Sequence, residues 1–170
     1  MKSLLTESDI RYLLEQQERL DHDIREKHGI SKYSWDNEMD AEHEIALRVE
    51  AAEFVNACYK SWKYWKTKPM NRDAVIDEAV DILHFIMLDW NKLDSIDIEY
   101  ILEHSNDVDV AKNQSEVKSV LHIILIAENA IDIFVYLLKV LDFYDFDRKQ
   151  IMEAYDKKNK VNFERLSEGY

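Results

Sequence analysis

Two segments of the chain place pairs of acidic residues among apolar ones at helical spacing. The segment VEAAEFVN contains Glu50 and Glu53, and the segment IDEAVDILHF contains Glu78 and Asp81. Residues three apart project from one face of a helix, so two such pairs on neighbouring antiparallel helices can bring four carboxylates to one point. Carboxylates gathered near apolar residues repel one another unless cations lie between them. Because hard cations prefer oxygen ligands, the pattern predicts a Mg2+ site, with Mn2+ as a substitute.

The sequence of these two segments also allows a second interpretation, in which the acids lie on solvated helix faces. Acidic pairs at this spacing are common on solvated helix faces, where they accompany Lys or Arg side chains. One pair would favour that interpretation, whereas two pairs on adjacent apolar helices leave both evenly balanced. His84 follows Asp81 by one turn. We expect it to contact the substrate or a metal ligand rather than the metal, with a core histidine as the alternative.

The composition indicates an all-α protein. The chain has 170 residues, 46% of them hydrophobic, with two glycines and one proline, so we expect one domain over residues 1–170, built from long helices. Cys58 is the single cysteine and cannot form an internal disulfide. No apolar signal segment opens the sequence, and a cytoplasmic protein is expected. The net charge of −13 argues against nucleic-acid binding.

Capping residues and apolar periodicity predict the helices. The first should run from residue 6 or 8 to 26, and a polar connection should cover 31–40. We expect the later helices at 41–65, 73–93, 96–104, 116–141 and 148–158.

The apolar segment 121–141 is interrupted by Glu128, Asn129 and Asp132. Charges in the middle of a membrane span are costly, so we expect no membrane helix here. A long buried helix or part of an oligomer interface is the better interpretation, although the roles of Glu128 and Asp132 are not explained by it.

Two segments carry cations beside aromatic or amide side chains. In KSWKYWK, Trp65 and Lys66 either contact a bound ligand or pack a helix end. In the C-terminal segment, Lys158 and Arg165 either pair with phosphate oxygens or belong to a solvated terminal helix. The residues alone favour the solvated helix.

Three segments together resemble a known family. VEAAEFVNACYKSWKYWKTKP followed by DEAVDILHF resembles the dimeric all-α deoxyuridine triphosphatases, which belong to the MazG-like nucleoside triphosphate pyrophosphohydrolases. YDKKNKVNFERLSEGY resembles the last motif of that family, and QQERLDHDI resembles its first. The ordered set covers the chain from the first helix to the last residue.

The resemblance implies an all-α bundle with a four-helix catalytic core, assembled as a homodimer. It implies that Glu50, Glu53, Glu78 and Asp81 hold Mg2+, and that a metal-activated water attacks the α-phosphorus of dUTP to give dUMP and pyrophosphate. Glu53 is the expected general base, and Glu50 is the second candidate. The residues expected to bind the nucleotide are Gln17, Asp21, Trp65, Lys66, His84, Lys158, Asn159, Asn162, Arg165 and Tyr170.

Two departures from the family pattern leave alternatives open. Leu166 stands where the last motif commonly has Gln, and the short chain resembles the compact bacterial and bacteriophage branch. Relatives in that branch include enzymes that also take deoxycytidine nucleotides. The alternatives are therefore a dCTP/dUTP or house-cleaning pyrophosphohydrolase, activity on dUDP as well, or a helical interaction module on the same scaffold.

Overall fold

The computed structural model describes residues 3–169, which form eight α-helices, one 3-10 turn and no strand. The all-α class predicted from composition is confirmed. The helices are α1 (Glu7–His28), α2 (Lys32–Asn37), α3 (Asp40–Ala57), α4 (Arg72–Asn91), α5 (Ile98–Asp107), α6 (Gln114–Ile126), α7 (Ala130–Phe143) and α8 (Arg148–Glu168), with the 3-10 turn at Tyr59–Ser61.

Helix α4 lies at the centre of the fold. Asn71 caps its N-terminus by accepting hydrogen bonds from the amides of Asp73 and Ala74, and Pro69 just before it favours a stop in the preceding chain. The helix packs against α1, α3, α7 and α8. These neighbours bury most of the surface of α4. Glu78, Asp81 and His84 on this helix are therefore held at fixed positions beside α1, α3 and α8.

The helices that flank α4 have well-defined ends. Thr6 and Asp9 form a capping box at the start of α1, and Asp147 and Gln150 form another at the start of α8, so orphan amide groups at both N-termini are satisfied. Helix α1 ends at Gly29 with φ of +65°, a left-handed conformation that glycine adopts at little cost.

Helix α3 is shorter than predicted. The expected helix 41–65 ends at Ala57, and the chain turns through the 3-10 segment. The indole N–H of Trp62 donates to the carbonyl of Val55 at 2.8 Å, which satisfies a carbonyl that an ending helix leaves without a partner. The aromatic segment that suggested a longer helix therefore turns back, and Trp62 caps the C-terminal end of α3.

The predicted long helix 116–141 is wrong, because the chain breaks between α6 and α7. Asn129 caps α7 by accepting from the amide of Asp132 at 2.8 Å, and Glu128 is exposed in the break. The polar residues that interrupted the apolar pattern are thus a helix boundary. No helix in the described part of the chain is long and apolar enough to cross a membrane.

Two further boundaries differ from expectation. The connection 31–40 contains the short helix α2, with Ser31 as its cap. Helix α8 continues ten residues beyond the predicted end at 158, up to Glu168. Neither Gly nor Pro interrupts 159–168, and Gly169, with φ of +86°, ends the helix.

Candidate active site

A cavity of about 590 Å3 opens between α1, α3, α4 and α8, with one wall from α2. Most of the residues predicted to act in catalysis or binding line it, although they come from distant parts of the chain. These are Gln17, Asp21, Glu50, Glu53, Glu78, Asp81, His84, Lys158, Asn162 and Arg165.

Three of the four predicted acids converge in this cavity. One carboxylate oxygen from each of Glu50, Glu78 and Asp81 lies within 4.8 Å of the other two. Glu53, one turn further along α3, lines the same cavity but is exposed and lies outside this close group. The close packing of α3 against α4 brings the two acidic faces together.

The pKa values of the clustered carboxylates are raised. For Glu50 the pKa rises to about 7, mainly because burial disfavours the charged form and then because Asp81, Glu53 and Glu78 repel its charge. Burial and neighbouring acids also raise the pKa of Glu78. Burial raises the pKa of Asp81 against the opposing effect of Lys158. A cluster with this much repulsion binds a cation favourably.

A basic residue of α8 pairs with the cluster. The ammonium of Lys158 on α8 pairs with Asp81 Oδ2 at 2.5 Å, and Asn162 and Arg165 follow on the same face of α8. The carboxylates offer only oxygen ligands, at a spacing that one ion can bridge, so their chemistry fits a hard divalent cation. Zinc would favour His or Cys ligands instead.

A hydrogen-bonded network forms the other end of the cavity. The amide nitrogen of Gln17 donates to Asp21 Oδ1 at 2.7 Å, and its oxygen lies 2.7 Å from His84 Nδ1. Tyr155 OH donates to the same oxygen at 3.4 Å, and its ring stacks on His84 with centroids 4.2 Å apart. All four side chains are buried, so these hydrogen bonds are stronger than they would be in water.

Two buried polar atoms of this network have no partner. They are Asp21 Oδ2 and His84 Nε2, and both residues line the cavity. Burial lowers the pKa of His84 to about 3, so the ring is neutral. Burial raises the pKa of Asp21 to about 7, opposed by its hydrogen bond from Gln17. Unpaired buried groups of this kind are expected where a ligand supplies the missing bonds.

Sequence patterns did not identify the aromatic wall of the cavity. Trp35 on α2 and His43 on α3 line it together with Phe85, and the rings of Trp35 and His43 lie 4.6 Å apart. Burial lowers the pKa of His43 to about 4. Helix α2 has too few residues to show a period, so only the capping residue Ser31 could have indicated it.

Four predicted residues lie elsewhere or outside the described chain. Trp65 and Lys66 are exposed on the loop after α3 and do not line the cavity. Asn159 is buried on α8 and its Oδ1 has no partner, but it is not part of the lining either. Tyr170 falls outside the residues that the structure describes.

Comparison with known proteins agrees with the cavity chemistry. A family model described as dUTPase matches residues 9–170, which includes every helix except the first two residues of α1. No curated protein sequence gave a significant match. The chain therefore belongs to the dUTPase family and is a dUTP diphosphatase.

Proposed function

We propose that the chain hydrolyses dUTP by attack of water on the α-phosphorus, with the triphosphate over the acidic cluster and the base against the Gln17 network. The observation that supports this most strongly is the meeting of Glu50, Glu78 and Asp81 from two helices at one end of the cavity. The other end offers buried polar atoms without partners. One end thus suits phosphates with divalent cations, and the other suits a polar base.

In this proposal, Glu50, Glu78 and Asp81 hold Mg2+, and Glu53 stands beside them. The bound ion would neutralise charge on the phosphoryl oxygens and lower the pKa of water. The three carboxylates must be ionised to bind it, which the raised pKa of Glu50 makes unfavourable below neutral pH.

Glu53 is the proposed general base. It lines the cavity one turn from Glu50 but lies outside the group of three close carboxylates, so its oxygens are available to take a proton from the attacking water. As the new bond to the α-phosphorus forms, the bond to the oxygen bridging to the β-phosphate breaks, and pyrophosphate leaves. A positioned base of this kind contributes about 10² to 10⁴ in rate.

The cations of α8 are proposed to hold the leaving group. Lys158, Asn162 and Arg165 line the cavity beside the acids, and charged hydrogen bonds to phosphate are among the stronger ones in proteins. Lys158 and Arg165 thereby offset the charge that develops on pyrophosphate. Because dUDP has the same base and α-phosphate as dUTP, we propose it as a second substrate. It should be the weaker one, because it lacks the γ-phosphate and therefore part of the contact with Lys158 and Arg165.

Isotope labelling tests the position of attack. Hydrolysis of dUTP in 18O-labelled water should place the label in dUMP, and the products should be dUMP and pyrophosphate in equal amounts. Label in pyrophosphate, or release of orthophosphate, would exclude attack at the α-phosphorus. The same assay with dCTP, dTTP and dATP measures the base preference.

We also propose a homodimer formed through the exposed face of α3. Ala41, Ile45, Val49 and Ala52 share this face and line a groove on it. Ile45 is 64% exposed and Val49 46% exposed. A contiguous apolar stripe of this kind on a helix is typical of a protein contact.

The acidic segment around the start of α3 and the basic segment after its end indicate a second copy of the chain as the partner. Residues 33–47 contain acids and no Lys or Arg, whereas residues 54–72 contain basic residues and no acid. Antiparallel pairing of two α3 helices about a two-fold axis would set each basic segment beside the acidic segment of the other copy. The partner's Trp65 and the partner's Lys66 would then approach Trp35 and His43 of the cavity wall, which accounts for their predicted role.

A further inference from the structure

We propose that Asp21 binds the uracil base as a neutral carboxylic acid, donating a hydrogen bond to a carbonyl of the base while His84 accepts from its N3–H. This inference rests on the proposed function, since it names how the same cavity recognises its substrate. It assigns a protonation state to one residue and predicts a pH dependence that is lost when Asp21 alone is replaced by Asn.

The orientation of Gln17 fixes the roles of its neighbours. Its oxygen receives the hydrogen bonds from His84 Nδ1 and Tyr155 OH, and its nitrogen donates to Asp21 Oδ1. His84 therefore carries its proton on Nδ1, and the neutral ring leaves Nε2 as an acceptor. Stacking on Tyr155 holds the ring in this position.

The base edge of uracil then requires a donor from Asp21. Uracil joined to a sugar has one N–H, at N3, with a carbonyl on either side. His84 Nε2 is the acceptor suited to that N–H, so a second group beside it must donate to a carbonyl. Asp21 Oδ2 is the other buried atom of the Gln17 network without a partner, and a carboxyl group donates only when it is protonated.

The surroundings of Asp21 favour the protonated form of its carboxyl group. The side chain is 1% exposed and receives one hydrogen bond, from Gln17, so its ionised form would leave a buried charge poorly compensated. Arg25, whose charge attracts that of Asp21, pairs with Glu18 at 2.9 Å. The charged and titratable groups that face Asp21 are Glu18 and Arg25 on α1, Lys32 on α2, His84 on α4 and Tyr155 on α8.

Burial outweighs the attraction of Arg25 and Lys32 and raises the pKa of Asp21 to about 7. The proton is therefore present in a large fraction of the molecules at neutral pH and lost above it. An ionised Asp21 would present a second acceptor to a uracil carbonyl, which has no proton to give.

Binding of dUMP in the absence of divalent cations tests the inference. For the unaltered chain the dissociation constant should rise about tenfold per pH unit above pH 7. For Asp21→Asn this component of the pH dependence should be absent up to pH 8.5, because the Asn amide donates at every pH. The ratio of the two constants removes the titrations of the dUMP phosphate and of Glu50, which both proteins share.

The controls separate this inference from the proposed function. Asp21→Ala should bind weakly at every pH, which shows that a donor is needed and that packing alone does not suffice. Equal pH dependence in the unaltered chain and Asp21→Asn would overturn the neutral carboxyl, as would loss of binding in a folded Asp21→Asn variant. Absence of dUMP binding to the unaltered chain at any pH would instead contradict the proposed function.

Discussion

Glu50 and Glu53 lie one turn apart on α3 but occupy different surroundings. Glu50 belongs to the close cluster, whereas Glu53 lies beside it and is exposed. We expect Glu53→Gln to lower kcat for dUTP by about 10² or more, because the amide cannot accept the proton of water. Nucleotide affinity and the melting temperature should hardly change, since the side chain is not buried. Rate measurements with excess Mg2+ check this, and activity equal to that of the unaltered chain would remove Glu53 from the mechanism.

The raised pKa of Glu50 predicts a pH-dependent stability of the metal-free chain. Its value is about 7 in the folded state, against an ordinary value of 4.5 for a glutamate. The folded state binds this proton more tightly, so the contribution to stability is complete below about pH 4.5 and is lost as the pH rises towards 7. Above pH 7 the loss is complete, and a bound cation should restore stability.

Thermal unfolding of the chain and Glu50→Gln at pH 4.5 and 7.5 isolates this effect. The histidines with lowered pKa values, His43 and His84, act in the opposite direction, but they are common to both proteins. The melting temperature of the unaltered chain should fall relative to that of Glu50→Gln as the pH rises. A constant difference between the two proteins would contradict the electrostatic account of the cluster.

At the residue scale, spacing predicted the polar side of the cavity better than its aromatic side. The acids, His84, Lys158 and Arg165 recur at helical intervals, so their shared faces can be read from the sequence. Trp35 and His43 show no such interval, because they reach the cavity only through the packing of α2 against α3. The different environments of Glu50 and Glu53 also depend on the tertiary structure.

At the scale of the elements, the break between α6 and α7 depends on Asn129. Its side chain accepts from the amide of Asp132, and its amide group donates to the Asp132 carboxylate at 2.9 Å. We expect Asn129→Ala to destabilise the protein by about 1 kcal/mol, as for other N-cap residues. The melting temperature should fall by about 2–4 °C.

The neighbouring exposed residue Glu128 provides the matched control. Glu128→Ala should leave the free energy of unfolding within about 0.5 kcal/mol of the original value. Denaturant unfolding of both variants checks the comparison. Equal effects of the two substitutions would argue against a capping role for Asn129.

Helices α1 and α4 could be predicted closely, because each begins with a clear capping residue and its apolar residues follow a single helical period. The errors arose where the apolar residues continue on both sides of a helix end. Segment 121–141 is apolar on both sides of the break that follows Ala127, and the signal that marks the boundary is the cap formed by Asn129 and Asp132. The end of α3 depends on the contact of Trp62 with Val55, a fold-back that propensity does not describe.

At the scale of the whole molecule, the exposed face of α3 predicts the oligomeric state. We expect Ile45→Glu to convert a dimer to a monomer, because it sets two like charges near the proposed two-fold axis. Light scattering coupled to size exclusion measures this directly. High salt should also weaken the dimer, since the acidic segment 33–47 of one copy would face the basic segment 54–72 of the other.

Tyr100 on α5 supplies the control for this prediction. It is 55% exposed and lies on a helix that packs against α1 and α7 rather than against α3. Tyr100→Glu should leave the mass in solution unchanged. A monomeric unaltered chain, or a dimer that survives Ile45→Glu, would exclude the proposed interface.

The converging carboxylates of α3 and α4 are proposed to bind the cation on which hydrolysis of dUTP depends. Titrating Mg2+ into the chain and into Glu78→Gln while following pyrophosphate release from dUTP tests this directly. We expect no turnover without a divalent cation, saturable activation of the unaltered chain, and at least a tenfold higher Mg2+ requirement for Glu78→Gln. Turnover of dUTP in the presence of a chelator, or identical Mg2+ dependence of the two proteins, would contradict it.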